Sequence, residues 1–104
     1  MKVIYVAGCY RADDINGVLG NIIKAREASR KLWLRGWAVI CPHLNSCFMD
    51  GTDTDKIFLD GDLEILRRCD AIYMLNGWEK STGAKNELKE AGKNGLEIIF
   101  EGYV

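Results

Sequence analysis

The sequence has one proline, Pro42, and one histidine, His43, in 104 residues. It has no CxxC pair, and a single imidazole to accompany its four cysteines, so the spacing argues against a zinc site. Neither charge dominates: fourteen basic residues face fifteen acidic ones. Without a basic stripe, duplex nucleic acid is not an expected partner. No apolar run is long enough to span a bilayer, so no membrane partner is expected. Met1 leads directly into an apolar strand without a charged-then-apolar leader. Together with four free thiols, this suggests a reducing, cytoplasmic setting. There is no GxGxxG fingerprint and no Walker A loop, hence no sign of a dinucleotide or P-loop site. No linker, repeat or low-complexity segment interrupts the chain, and its length suits a single domain over residues 1–104.

What is present alternates between two periods. VIYVA after Lys2 is β-branched and apolar on both faces, as a buried parallel strand is. Gly8 closes it, and Cys9 to Asp14 form a polar loop. Ile15, Val18, Leu19, Ile22, Ile23 and Leu32 then recur at helical spacing up to Arg35, with Asp13 or Asp14 as cap and Gly36 as stop. Gly17 and Gly20 within this helix suggest close packing against the sheet or a second subunit. Trp37 to Cys41 reads as the second strand, and residues 43–54 as a loop over the carboxyl edge of the sheet. A helix from Asp55 is expected to break near Asp60-Gly61, which would make Asp62 the residue that opens or caps its second part, Leu63 to Cys69. The strand Ala71 to Leu75, the loop Asn76 to Thr82, a helix from Thr82 to Lys93, the strand Leu96 to Phe100 and a tail from Glu101 to Val104 complete the chain. The order β-α-β-α-β-α-β predicts an α/β fold, Rossmann-like or flavodoxin-like. Its sheet would be parallel, of four strands or five, with helices on both faces.

Open sheets of this kind bind ligands beyond the carboxyl ends of their strands. Glu87 falls there. Ala84, Glu87, Leu88 and Ala91 share one helical face, and a carboxylate bordering an apolar face is costly unless it is used. The plain alternative is a solvated glutamate paired with Lys80 or Lys93. Asp62 reads either as an N-cap or as a second site carboxylate. Arg11, just past Gly8, reads as a surface cation or, with the amides of Gly8 to Arg11, as an anion seat. Ser81 reads as a helix cap whose hydroxyl can also meet a phosphate. His43 either bonds the loop or enters the site. Trp78 either stacks on a base or covers an apolar patch. Cys41 and Cys69 read as small buried hydrophobes, and Trp33 and Trp37 as core or interface.

The phrases YVAGCYRA, VICPH, GDLEILRRCDAI and NGWEKSTGAKNE, in this order from Tyr5 to Glu87, resemble the nucleoside 2-deoxyribosyltransferase-like superfamily. The likeness is greatest to its small bacterial and phage members. The resemblance implies that Glu87 is a nucleophile, that Asp62 acts near base and sugar, and that Tyr5 orients the nucleophile. It also implies that Gly8, Cys9, Tyr10, Arg11, Ser81 and Gly83 surround a phosphorylated ligand, as in the branch that hydrolyses deoxynucleoside 5'-monophosphates. No metal or organic cofactor is implied. A nucleoside or nucleotide ligand and a homodimer or larger homo-oligomer are. Lys85 stands where that branch has a second glycine, and Cys9 where it has a serine. Lys85 also motivates a rival reading. A salt bridge to Glu87 would tie up the nucleophile and leave a non-catalytic module that binds a nucleotide or nucleotide-sugar.

Overall fold

A computed structural model of the protein describes residues 1–102. Its strands are β1 (Val3–Ala7), β2 (Ala38–Ile40), β3 (Ala71–Met74) and β4 (Glu97–Phe100). Its helices are α1 (Ile15–Leu34), α2 (Pro42–Asn45), α3 (Asp55–Arg67) and α4 (Thr82–Lys93), and a 3-10 turn covers Trp78–Lys80. The four strands form one all-parallel sheet in the order β2-β1-β3-β4. The chain leaves β1 to one side for β2 and crosses to the other side for β3. The crevice between the carboxyl ends of β1 and β3 is therefore the topological switch point.

Strand alternation divides the core. Ile4 and Val6 face Ala25, Ala28 and Leu32 of α1, whereas Tyr5 and Ala7 face Leu66 of α3 and Ala84 and Ala91 of α4. In β3, Ala71 and Ile72 part in the same way. Side chains of neighbouring strand residues point to opposite faces, so a strand that is apolar throughout needs cover on both sides. The helices supply it. Cys41 and Cys69 are buried in these two clusters, as expected, and all four cysteines are free. No helix among the described residues is long and apolar enough to cross a membrane.

Several local expectations are corrected. The helix from Asp55 does not break at Gly61; α3 runs unbroken to Arg67. Tertiary packing through Leu63, Ile65 and Leu66 outweighs the roughly 1 kcal/mol that a helical glycine costs. Asp62 is consequently no cap; it lies within α3, and the N-cap position is Thr54. His43 belongs to the short α2 rather than to a loop, with Pro42 in its first turn. The loop after β3 contains the 3-10 turn. Gly17 and Gly20 do not bring α1 onto the sheet: a Cβ on Gly17 would meet Ala12 of the preceding loop, and one on Gly20 would meet nothing. Of the two tryptophans read as core or interface, Trp37 packs against the α1-side core, and Trp33, 55% exposed, is not in the core. Of the tail, Tyr103 and Val104 lie outside the described residues.

Candidate active site

A cleft of about 510 Å³ opens at the switch point. Four parts of the chain build it. The loop after β1 contributes Gly8 to Arg11, and α2 with the segment after it contributes Pro42, His43, Ser46 and Asp50. Asp55, Phe58, Leu59, Asp62 and Leu63 come from α3, and Ser81 to Ala84, Asn86 and Glu87 from the start of α4.

Gly8 allows the first of these to sit where it does. A Cβ at this position would fall 2.7 Å from Cδ1 and 2.8 Å from Cβ of Leu75, which follows β3. Only glycine lets the β1 loop pass so close to the end of the neighbouring strand. His43 holds the loop from below. Its ring is buried, and Nε2–H donates to the Cys9 carbonyl over 2.8 Å. A carbonyl can only accept, so this bond fixes the tautomer and leaves Nδ1 facing the Cys41 thiol at 3.9 Å. Burial pushes the His43 pKa below its usual value, which keeps the ring neutral. The ring also meets the edge of Tyr10 at 5.8 Å between centroids. His43 thus lines the cleft and scaffolds the loop. The Cys9 thiol donates to the Gly77 carbonyl over 3.2 Å, joining the β1 and β3 loops.

Ser81 is the N-cap of α4: its hydroxyl accepts from the Ala84 N–H over 3.1 Å. The cap fixes the start of the helix, and the helical period then turns Glu87 inward on the same face as Ala84 and Ala91. There the phenol of Tyr5, fully buried in the middle of β1, donates a hydrogen bond to the Glu87 carboxylate. Burial pushes the Glu87 pKa up, opposed by the Tyr5 bond and reinforced by the charge of Asp62, to about 7. Asp62 is also raised by burial, to about 6. It has no hydrogen-bond or ion-pair partner among the described residues. Burial, with the negative charges of Glu87 and Asp62 nearby, pushes the Tyr5 phenol far above its ordinary range, so Tyr5 stays a donor at any physiological pH. Neither Lys80, Lys85 nor Lys93 forms an ion pair with Glu87 among the described residues. The salt bridge that would have tied up this carboxylate is absent there.

Of the residues singled out from sequence, Gly8, Cys9, Tyr10, Arg11, His43, Asp62, Ser81, Gly83 and Glu87 line one cleft, and Tyr5 reaches it from beneath through Glu87. Trp78 does not line it. Its indole packs against Phe100, 5.9 Å between centroids, on the α4 side of the core; the apolar-patch reading holds. Arg11 is not free: its guanidinium pairs with Asp55 at the start of α3. Asp50, Asp55, Lys80 and Asn86 line the cleft without having been singled out. The signal for Asp55 was available, since a helix following a loop over the carboxyl edge must place its first turn near that edge.

The parallel sheet in the order β2-β1-β3-β4 with its cleft at the β1–β3 switch point defines a doubly wound α/β protein. The chain is similar to the solved structure of the 2-deoxyribosyltransferase from the psychrotolerant bacterium Bacillus psychrosaccharolyticus, with a TM-score of 0.68 and 21% identity, over 98% of this chain and 75% of that one. By family, residues 2–100 match the model of DUF4406, a domain of unknown function, and the chain belongs to that family. No curated protein matches the chain.

Proposed function

We propose that the protein is an N-glycosidase-type enzyme that cleaves the bond between base and sugar in a (deoxy)nucleoside 5'-monophosphate, by way of a covalent glycosyl-enzyme on Glu87. The observation that carries this reading is the Glu87 carboxylate on the cleft wall, held by a buried phenol and faced by a second, unpartnered carboxyl.

In the first step a Glu87 oxygen attacks the anomeric carbon. The bond to the base nitrogen breaks and its electron pair leaves with the base. Asp62 in its acid form delivers a proton to the departing base. Positive charge builds up on the sugar in an oxocarbenium-like transition state, which the two carboxyl groups stabilise. In the second step water attacks the same carbon, gives its proton to the Asp62 carboxylate and releases Glu87. A second base in place of water would make the reaction a transfer. Tyr5 keeps Glu87 aimed and lowers its basicity towards protons, so that more of it is ionised near neutrality. Burial raises Asp62 to about 6 and Glu87 to about 7, so the two titrate as a pair, and the reactive form is the one in which the shared proton sits on Asp62 and Glu87 is ionised. Arg11, the amides of the Gly8 to Arg11 loop and the Ser81 hydroxyl would hold the phosphate.

The test is base release, followed by chromatography, from a panel of ribo- and deoxyribonucleoside 5'-monophosphates with wild type and Glu87→Gln. Base released by wild type alone is the expected result and names the substrate. No release from any nucleotide, with equal ligand-induced thermal stabilisation of both proteins, would replace the enzyme with a nucleotide-binding module.

A further inference from the structure

The cleft carries more negative than positive side chains. Arg11 and Lys80 stand against Asp50, Asp55, Asp62 and Glu87. Of the two cations, Arg11 is already matched by Asp55. Two consecutive residues of the β1 loop grip the segment that runs into α3. The Tyr10 hydroxyl donates to Asp50 over 2.8 Å and accepts from the Phe48 N–H, while Arg11 takes Asp55. Asp55 is the first residue of α3, so its backbone cannot retreat without unwinding the helix. An anionic group arriving at Arg11 meets a carboxylate that competes for the same guanidinium.

We propose that Asp55 determines the cleft's selectivity for ligand charge, acting as an internal anion on Arg11 that a phosphate-bearing ligand must displace. The pair is exposed on both sides, with side chains 75% and 57% accessible. Exposed pairs are weak, so a dianionic phosphate with bidentate geometry can take the guanidinium. The displaced carboxylate then remains beside the phosphate and repels it. A neutral nucleoside neither breaks the pair nor feels the repulsion. Asp55 thus narrows the advantage that a phosphate would otherwise give, and it does so without touching the sugar or the base.

The inference rests on the proposed phosphate seat at Arg11 but not on catalysis, so it is measured as binding in the Glu87→Gln background, where turnover is blocked. The probes are inorganic phosphate, a set of nucleoside 5'-monophosphates and the matching nucleosides. Asp55→Asn should tighten phosphate and the monophosphates about tenfold and leave the nucleosides unchanged, about tenfold being the effect of one modest charge interaction. Asp60→Asn, the same charge change on the same helix away from the cleft, should leave all of them unchanged. Adding Arg11→Gln should abolish the gain. Unchanged or weakened phosphate binding in Asp55→Asn would overturn the proposal. So would an equal change for nucleosides, a gain that survives Arg11→Gln, or phosphate binding by neither protein. Base release by wild type is scored separately, so failure here leaves the glycosidase reading to its own test.

Discussion

The Tyr5 phenol, in the centre of the sheet, donates to the Glu87 carboxylate on α4 across 82 positions of sequence. The bond links the largest fully buried residue of β1 to the one acidic side chain that α4 turns toward the cleft. Its removal tests the site directly. In Tyr5→Phe, Glu87 loses the bond that lowers its pKa, while burial and the Asp62 charge still raise it. Its pKa should rise above about 7. The acid limb of the kcat/KM profile for base release should then shift to higher pH. A hydrogen bond to a charged group is worth about 1.5–3 kcal/mol, so the maximum should fall roughly ten- to a hundredfold. An unshifted profile would mean that Tyr5 only fills space.

Asp62→Asn changes the same profile in the opposite sense. Removing the neighbouring charge lowers the Glu87 pKa, so the acid limb moves down. The alkaline limb, set by loss of the proton on Asp62, should disappear. General acid catalysis contributes about 10²–10⁴-fold, and the loss should be of that size for ordinary bases. It should be much smaller for a nucleotide whose base departs without a proton. Rates measured over a series of leaving groups separate the two.

Glu87 also bears on stability. Its carboxyl ionises at about 7 when folded, against 4.5 as the ordinary value. Between those values the folded protein keeps a proton that the unfolded chain releases. The contribution is therefore present at low pH and is lost as pH rises from about 4.5 through about 7. With about 1.4 kcal/mol per pKa unit, the penalty at pH 8 is on the order of 3 kcal/mol. Glu87→Gln should therefore unfold at higher denaturant concentration than wild type at pH 8 and show little gain at pH 5. A constant difference across pH would show that the carboxyl is not held neutral.

Gly8→Ala tests the close approach that shapes the cleft. The added Cβ would overlap Leu75 at under 3.0 Å. Overpacking of this kind costs about 1–3 kcal/mol. Thermal and urea unfolding should show that loss, and combination with Leu75→Ala should relieve only part of it, because the Leu75 Cβ, 2.8 Å from the added atom, remains.

Period and punctuation in the sequence determined the element order, the parallel sheet and the two-sided cover. VIYVA, apolar at every position, can only be a strand covered on both faces, and the Ala84-Glu87-Leu88-Ala91 spacing places Glu87 at the border of the buried face of α4. Local chemistry also reveals the Ser81 cap. Tertiary structure alone decided the rest. Gly61 reads as a break, yet packing of α3 against the sheet and α4 carries the helix through it, which moves Asp62 from a cap to the cleft wall. Trp78 reads equally as a base platform or a patch cover until Phe100 is found beneath it. The partners of the charged groups were least legible. Spacing along the chain carries no information on such pairs: Tyr5 with Glu87, 82 residues apart, was implied only by the family resemblance, and Arg11 with Asp55, 44 residues apart, by neither. The crossover of β3 past β1 brings them together, and burial at that point raises the pKa values of the two carboxyls.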